Sequence, residues 1–293
     1  MKYSKEAEMA AKKGKALVTG ASSGIGRETA RRLAQEGFQV IASARRQERL
    51  DELAKENENI ISRPVDLSDT QELEKFCQEI STLSEPVSVL INNAGFSVRG
   101  AIEDVSLASI RRLFEVNVFG LIKVTQACLP AMRRVRNGTI VNLSSVVGKF
   151  PYPMSGPYAA TKHAVEAISD ALRMEVRPFG IRVVTIRPGV IGTEFNDVAN
   201  TLTGDLLSRT DPDYKPVYQA YGAAMGKLFS NIVIPGPEII ANLILEAVLS
   251  DSPKAAYCAG PMVEEILGPR TKLDDDSFFQ FMSEKTGLKD LKV

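Results

Sequence analysis

Six short apolar runs punctuate the chain, and each leads into a stretch whose apolar positions recur every three or four residues. The runs are "ALVTG" (16–20), "FQVIASA" (38–44), "IISRPVD" (60–66), "VSVLINNAG" (87–95), "GTIVNLSS" (138–145) and "GIRVVTIRPG" (180–189). They are nearly continuous rather than alternating, as strands covered on both faces must be, and so predict a buried parallel sheet. Helices are predicted at 24–36, 46–57, 69–83, 106–135 and 157–178, with ends marked by Gly37, by Asn137 and Gly138, and by Pro178 with Gly180. A strand–helix alternation with right-handed crossovers gives an α/β, doubly wound fold of about seven parallel strands with helices on both faces. Ligands of such folds bind beyond the carboxyl ends of the strands, so those ends are the residues to read.

After Thr193 the rhythm breaks. Residues 193–233 form a long insertion in which Phe195, Leu206, Leu207, Tyr214, Tyr218, Tyr221, Met225 and Phe229 are scattered among polar groups. A connection of that length needs structure or work of its own, and a helical lid over a substrate site is the expectation. A helix near 237–250 and a strand "AAYCAG" (255–260) then complete the sheet. No linker or repeat intervenes. The chain reads as one domain over 1–293: a core (14–192), the lid insertion (193–233), and a last unit with a C-terminal tail (234–293).

Composition narrows the function. Of 293 residues, 36 are Lys or Arg and 36 Asp or Glu, so no broad positive field exists to attract nucleic acid or an anionic membrane. Three scattered cysteines, Cys77, Cys128 and Cys258, form neither a disulfide framework nor a metal-ligand spacing, which points to reduced thiols in the cytoplasm. The start, "MKYSKEAEMAAKKGKALVTG", lacks the apolar core of a signal peptide, and no run of about 18 apolar residues follows. The single histidine, His163, leaves little room for a Ser-His-Asp hydrolase or for zinc chemistry. Arg133, Arg134 and Arg136 close a helix, where cations meet the negative end of its dipole.

Chemistry gathers at the strand ends. "TGASSGIG" (19–26) sets three glycines between a strand and a helix, where backbone can approach a bulky anion and free N–H groups face a phosphate. "VDLS" (65–68), "NNAG" (92–95), Asn117 in "FEVNVFG", Ser145 in "VNLSS", "YAATK" (158–162) and "RPGVIGT" (187–193) follow in order. Together these seven motifs resemble the short-chain dehydrogenases/reductases across about 15–195. The C-terminal hundred residues are the part that family leaves variable. The tail and "EVRPFGIRVVTIRPGVIGTEF" look like its branch of hydroxysteroid, retinol and acyl-dihydroxyacetone-phosphate reductases.

The resemblance implies a Rossmann-type fold, a nicotinamide dinucleotide, and hydride transfer to or from a carbonyl carbon. It implies Tyr158 as general acid and base, Lys162 as the cation that tunes it and grips the nicotinamide ribose, Ser145 as a hydrogen-bond partner of the substrate oxygen, and Asn117 as the residue that loosens its helix and helps hold a water beside the lysine. Positions i and i+4 share a helix face, so an ammonium at Lys162 is expected to lower the pKa of Tyr158. Ser144 competes with Ser145, and strand alternation puts the two on opposite faces. For Asn117 the alternative is a polar residue satisfying itself within a packed helix.

By the same resemblance Gly20, Ser22, Ser23, Gly24, Ile25 and Gly26 hold the coenzyme phosphates. Asp66 and Leu67 line the adenine, Asn93, Ala94 and Gly95 flank the adenosine ribose, and Pro188, Gly189, Ile191 and Thr193 hold the carboxamide and nearby phosphate. The second strand ends at Ala44 with no acid to take ribose hydroxyls, and Arg45 and Arg46 follow. Guanidinium groups there suit a 2′-phosphate, so the expected coenzyme is NADP(H). Phe96, Phe150 and Tyr152 join the insertion as candidate contacts for a bulky lipophilic carbonyl or alcohol. A protein that senses NADP without turning over substrate is the alternative, though retention of Ser145, Tyr158, Lys162 and Asn117 argues against it. Family analogy adds a homodimer or homotetramer built on the 106–135 and 157–178 helices.

Overall fold

The computed structural model describes residues 13–196 and 210–293. Seven strands form one parallel sheet: β1 (Lys15–Thr19), β2 (Gln39–Ala44), β3 (Ile60–Pro64), β4 (Val87–Asn92), β5 (Gly138–Leu143), β6 (Ile181–Pro188) and β7 (Ala256–Ala259). Their spatial order is β3-β2-β1-β4-β5-β6-β7, so the winding reverses between β1 and β4. Two adjacent strands whose connections leave in opposite directions open a crevice at their carboxyl ends, which is where such a sheet binds ligands.

Side chains alternate across the sheet, and each face closes a separate core. Ala16, Val18, Val40 and Ala42 meet Leu33 of α1 (Gly24–Gln35), Leu50 of α2 (Gln47–Glu56), and Ile240 and Ile244 of a late helix, Glu238–Leu249. Leu17, Ile41, Leu90 and Ile140 face the other way, onto α3 (Thr70–Ser81), and onto Val124 and Cys128 of one helix and Leu172 of another. Burial on both faces is the reason these strands read as continuous apolar runs.

The helix expected over 106–135 is three pieces. Ser106 caps α4 (Leu107–Phe114) by accepting the Ser109 N–H, a wide π turn spans Glu115–Gly120, and α5 (Leu121–Val135) follows. The turn carries Asn117. α6 (Gly156–Val176) is the long helix that holds Tyr158 and Lys162.

Of the insertion, Leu206, Leu207 and the rest of 197–209 lie outside the described residues. Its later half is α7 (Lys215–Phe229), and the last sheet unit is α8 (Glu238–Leu249) with β7. The tail forms α9 (Val263–Lys272) and α10 (Asp275–Lys285), the latter capped by Asp274. Phe278 and Met282 of α10 close on Phe150. No helix among the described residues is long and apolar enough to cross a membrane.

Candidate active site

At the crevice, β1 ends in Thr19, whose hydroxyl accepts the N–H groups of Asn93 and Ala94, each at 3.1 Å. Asn93 answers with its side-chain amide on the carbonyls of Thr19 (2.9 Å) and Gly20 (3.2 Å). "NNAG" is thus clamped against the glycine turn. Gly20 has φ +69°, and a Cβ there would lie 2.8 Å from Ala94 Cα; one on Gly26 would strike the Asn93 amide and the Gly20 carbonyl. The glycines are required by these approaches. α1 begins just beyond, with no side-chain cap from Ser23 and no acid in its first turn, so its N–H groups and positive dipole end face the crevice.

The end of β2 supplies cations. Arg46 donates to the hydroxyls of Ser22 (3.1 and 3.2 Å) and Ser23 (2.8 Å), which ties β2 to the glycine turn. Arg45 stands more exposed, 4.0 Å from Asp66. Burial works to raise the Asp66 carboxyl, but the Ser68 hydrogen bonds and the Arg45 charge hold it below the usual range. Leu67 is buried beside Gly120 of the π turn.

The reacting cluster forms where β5 meets α6. Lys162 is buried and donates to the Leu143 carbonyl at 2.7 Å, the last residue of β5. Two residues on, Ser145 accepts the Val147 N–H and acts on Tyr158 by a hydrogen bond. Ser144 turns the other way, toward the Lys162 carbonyl. Asn117 spends its amide on Phe96 N and O and on Thr161 Oγ1, each at 3.0–3.1 Å, and a Cβ on Gly95 would come within 3.1 Å of it. That side chain fastens the "NNAGF" loop to α6.

The electrostatics differ from the expectation in one respect. Burial holds the Tyr158 phenol above its ordinary value, and the groups that pull it down are Ser145 and, by charge, Arg99. The Lys162 ammonium lies 5.8 Å from the ring centroid and donates to the Leu143 carbonyl. Burial brings Lys162 itself down from 10.5 to about 8, and Glu166 partly opposes this.

Phe96 and Tyr158 pack with Tyr218 of α7 against Val98, Val105 and Leu113. Tyr218 donates to Asp104 and accepts the Ala101 N–H, both at 2.7 Å, which docks α7 on this side of the crevice. Phe195 lies over Tyr158, centroids 5.7 Å apart. Tyr152 is held above its usual pKa by burial beside Tyr221. Phe150 is a correction: at 1% exposure its ring is enclosed by Tyr152, Ile266, Phe278 and Met282, leaving it no surface for substrate. His163 stays on the exposed side of α6, bonded to the Ala159 carbonyl. Among the described residues no group of acidic, Cys and His side chains could hold a metal. A shallow hollow of about 520 Å³ lies at the opposite, amino ends of β5 and β6, near Gly180 and Ile181, and holds none of the candidate residues.

Sequence reasoning missed Glu166, buried one turn beyond Lys162 and held by Arg187 (2.7 and 2.9 Å) and Lys149 (3.1 Å). The i, i+4, i+8 series Tyr158, Lys162, Glu166 was its available signal. Arg99 and Glu194 were also missed, and their partners are too distant in the chain for any local pattern to reveal.

A doubly wound parallel sheet with a glycine turn at its switch point, and a Ser, a Tyr and a Lys at the neighbouring strand end, defines the class of Rossmann-type oxidoreductases. Within it, the chain belongs to the short-chain dehydrogenase/reductase family: the family model described as "short chain dehydrogenase" matches residues 14–202. Dehydrogenase/reductase SDR family member 7B of Xenopus laevis is 38% identical over 280 residues, 92% of this chain and 80% of its own. The uncharacterized oxidoreductase YbbO of Escherichia coli K12 is 36% identical over 242 residues, 82% and 83% of the two chains. Among solved structures, a short-chain dehydrogenase from Streptomyces avermitilis superposes with TM-score 0.76 at 29% identity, covering 93% and 96% of the chains. A serine dehydrogenase in its closed form with NADP+ does so with TM-score 0.72 at 28% identity, covering 85% and 95%.

Proposed function

We propose that this protein is an NADP(H)-dependent oxidoreductase that interconverts a ketone or aldehyde with an alcohol, Tyr158 serving as general acid and base. The observation that carries the reading is the meeting of Tyr158, Lys162 and Ser145 at the carboxyl end of β5, beside the glycine turn.

Three features fit a dinucleotide phosphate: a glycine cradle that any Cβ would fill, an uncapped helix start without acids, and two arginines at the end of β2. Gly20 to Gly26, with Ser22 and Ser23, would hold the pyrophosphate, and Arg45 and Arg46 the 2′-phosphate. Asp66 and Leu67 would face adenine, Asn93 to Gly95 the adenosine ribose, and Pro188 to Thr193 the carboxamide. When bound, the nicotinamide supplies or accepts hydride at the carbonyl carbon.

The chain's own residues do the rest. Burial keeps the Tyr158 phenol protonated at neutral pH, the form that donates to a carbonyl oxygen during reduction. Ser145 orients that oxygen and steadies its developing charge. Lys162, anchored by Leu143, would hold the nicotinamide ribose, and its charge would aid the phenolate in the oxidising direction. Phe96, Tyr152 and Phe195, with the 193–233 insertion as lid, favour a bulky lipophilic substrate. We further propose a cytoplasmic homo-oligomer joined through α4–α5 and α6, where Phe119 and Met174 are exposed.

Tyr158→Phe keeps the ring and removes the proton. NADPH-dependent reduction of a ketone panel should fall roughly 10²- to 10⁴-fold while NADPH binding persists. Turnover near wild type would refute Tyr158 as the proton donor.

A further inference from the structure

Three consecutive residues at the root of the insertion reach three different parts of the site. Glu194 points to the end of β2, where its carboxylate accepts from Arg46 at 2.9 Å and from Arg49 at 2.6 and 2.8 Å. Phe195 covers the Tyr158 ring. Asn196 accepts from Arg99 at 3.0 Å and donates to the Ile191 carbonyl at 3.1 Å, so the segment is secured on its far side. Thr193, just before them, presses on the glycine turn, 3.1 Å from where a Cβ on Gly24 would be.

The Glu194 carboxylate therefore occupies the same Arg46 that also grips Ser22 and Ser23 of the phosphate turn. It is an internal anion placed on Arg46, one of the two arginines that suit an external one. Hydrogen bonds from Arg49 and Arg46 hold it ionised, below the usual carboxylate range. Both ion pairs are open to water, with side-chain exposures of 41–45%, so the contact is weak and replaceable. A phosphate monoester carries up to two charges and three acceptor oxygens against one charge and two oxygens here, and it pairs better with guanidinium groups.

We propose that Glu194 is a coenzyme-reading latch: its carboxylate holds Arg46 until the 2′-phosphate of NADP(H) replaces it there, and the exchange draws Phe195 off Tyr158. The inference rests on the NADP(H) reading above. A coenzyme without the 2′-phosphate has nothing to exchange for Glu194 and leaves Tyr158 covered. Glu194 would then decide which nicotinamide coenzyme prepares the site for substrate.

The chain contains no tryptophan, so Phe195→Trp provides a single reporter over Tyr158. In that background, 2′,5′-ADP should change the acrylamide quenching of the tryptophan while 5′-AMP leaves it unaltered. Adding Glu194→Gln should shift the ligand-free signal toward the 2′,5′-ADP-bound one. Glu194→Gln in the otherwise native chain should bind 2′,5′-ADP about 5-fold more tightly, with 5′-AMP affinity unaltered. If wild type prefers 2′,5′-ADP but Glu194→Gln binds it no better, or both nucleotides move the reporter alike, the latch is wrong and the coenzyme reading stands. If wild type binds the two nucleotides equally, the NADP(H) reading falls and the latch with it.

Discussion

Lys162 and Glu166 set the most delicate balance in the molecule. Both are buried on consecutive turns of α6, and the carboxylate is shared with Arg187 and Lys149. Burial depresses the lysine to about 8 from an ordinary 10.5, so below pH 8 the folded protein bears the cost of a buried ammonium. As pH rises from about 8 toward 10.5 the unfolded chain binds more protons than the folded one, and this contribution to stability grows. Activity should move the other way, because deprotonation removes the charge that assists Tyr158. Glu166→Gln takes away the anion that supports the lysine, so the alkaline limb of kcat/KM should shift to lower pH. Glu166→Asp should restore part of it. A limb that stays in place in both variants would assign Glu166 to structure alone.

At the level of elements, the site depends on where helices stop being regular. The π turn at Glu115–Gly120 widens the backbone at the point where Asn117 must reach Phe96 and Thr161, two segments on different sides of it. α7 is held by Tyr218 on one side, and on the other it lies against Gly287, whose Cβ would come within 3.0 Å of Ala224. α10 supports the Ser145 loop from behind through Phe278 on Phe150. Phe278→Ala should therefore cost about 3 kcal/mol in a urea melt, as for other buried aromatic truncations. An unchanged midpoint would mean the tail is an appendage.

The whole molecule is a sheet in two halves that meet between β1 and β4, and the residues proposed to hold coenzyme come from both halves. A ligand at that seam binds only the folded chain. At about 100 times its Kd, NADPH should add about 2.7 kcal/mol, a rise in Tm on the order of 5 °C. NADH at equal concentration should give less, and Arg45→Ala should erase the difference. Equal shifts from the two coenzymes in wild type would remove the arginines from the coenzyme preference.

The architecture was legible because strands buried on both faces leave continuous apolar runs, and helices between them leave a three-to-four period. Tyr158 and Lys162 share one face of α6 and were legible as a spacing, while Ser145, on a separate segment, was legible only through the family resemblance. Local pattern also located Asn117, though not the amide bonds that make it a fastener between loop and helix. What remained hidden was long-range. Phe150 has the composition of a site aromatic, and only the return of α10 from the tail encloses it. Helix geometry put Lys162 beside Tyr158, but the burial that holds the phenol above its ordinary value comes from neighbours in space. Glu194 and Arg46 are 148 positions apart, and Arg99 and Asn196 are 97 apart. Periodicity and short-range sterics act between neighbours in the chain, so they determine elements and their order. Burial, charge pairing and the partners of each buried polar group are set by neighbours in space, and those exist only once the sheet has closed.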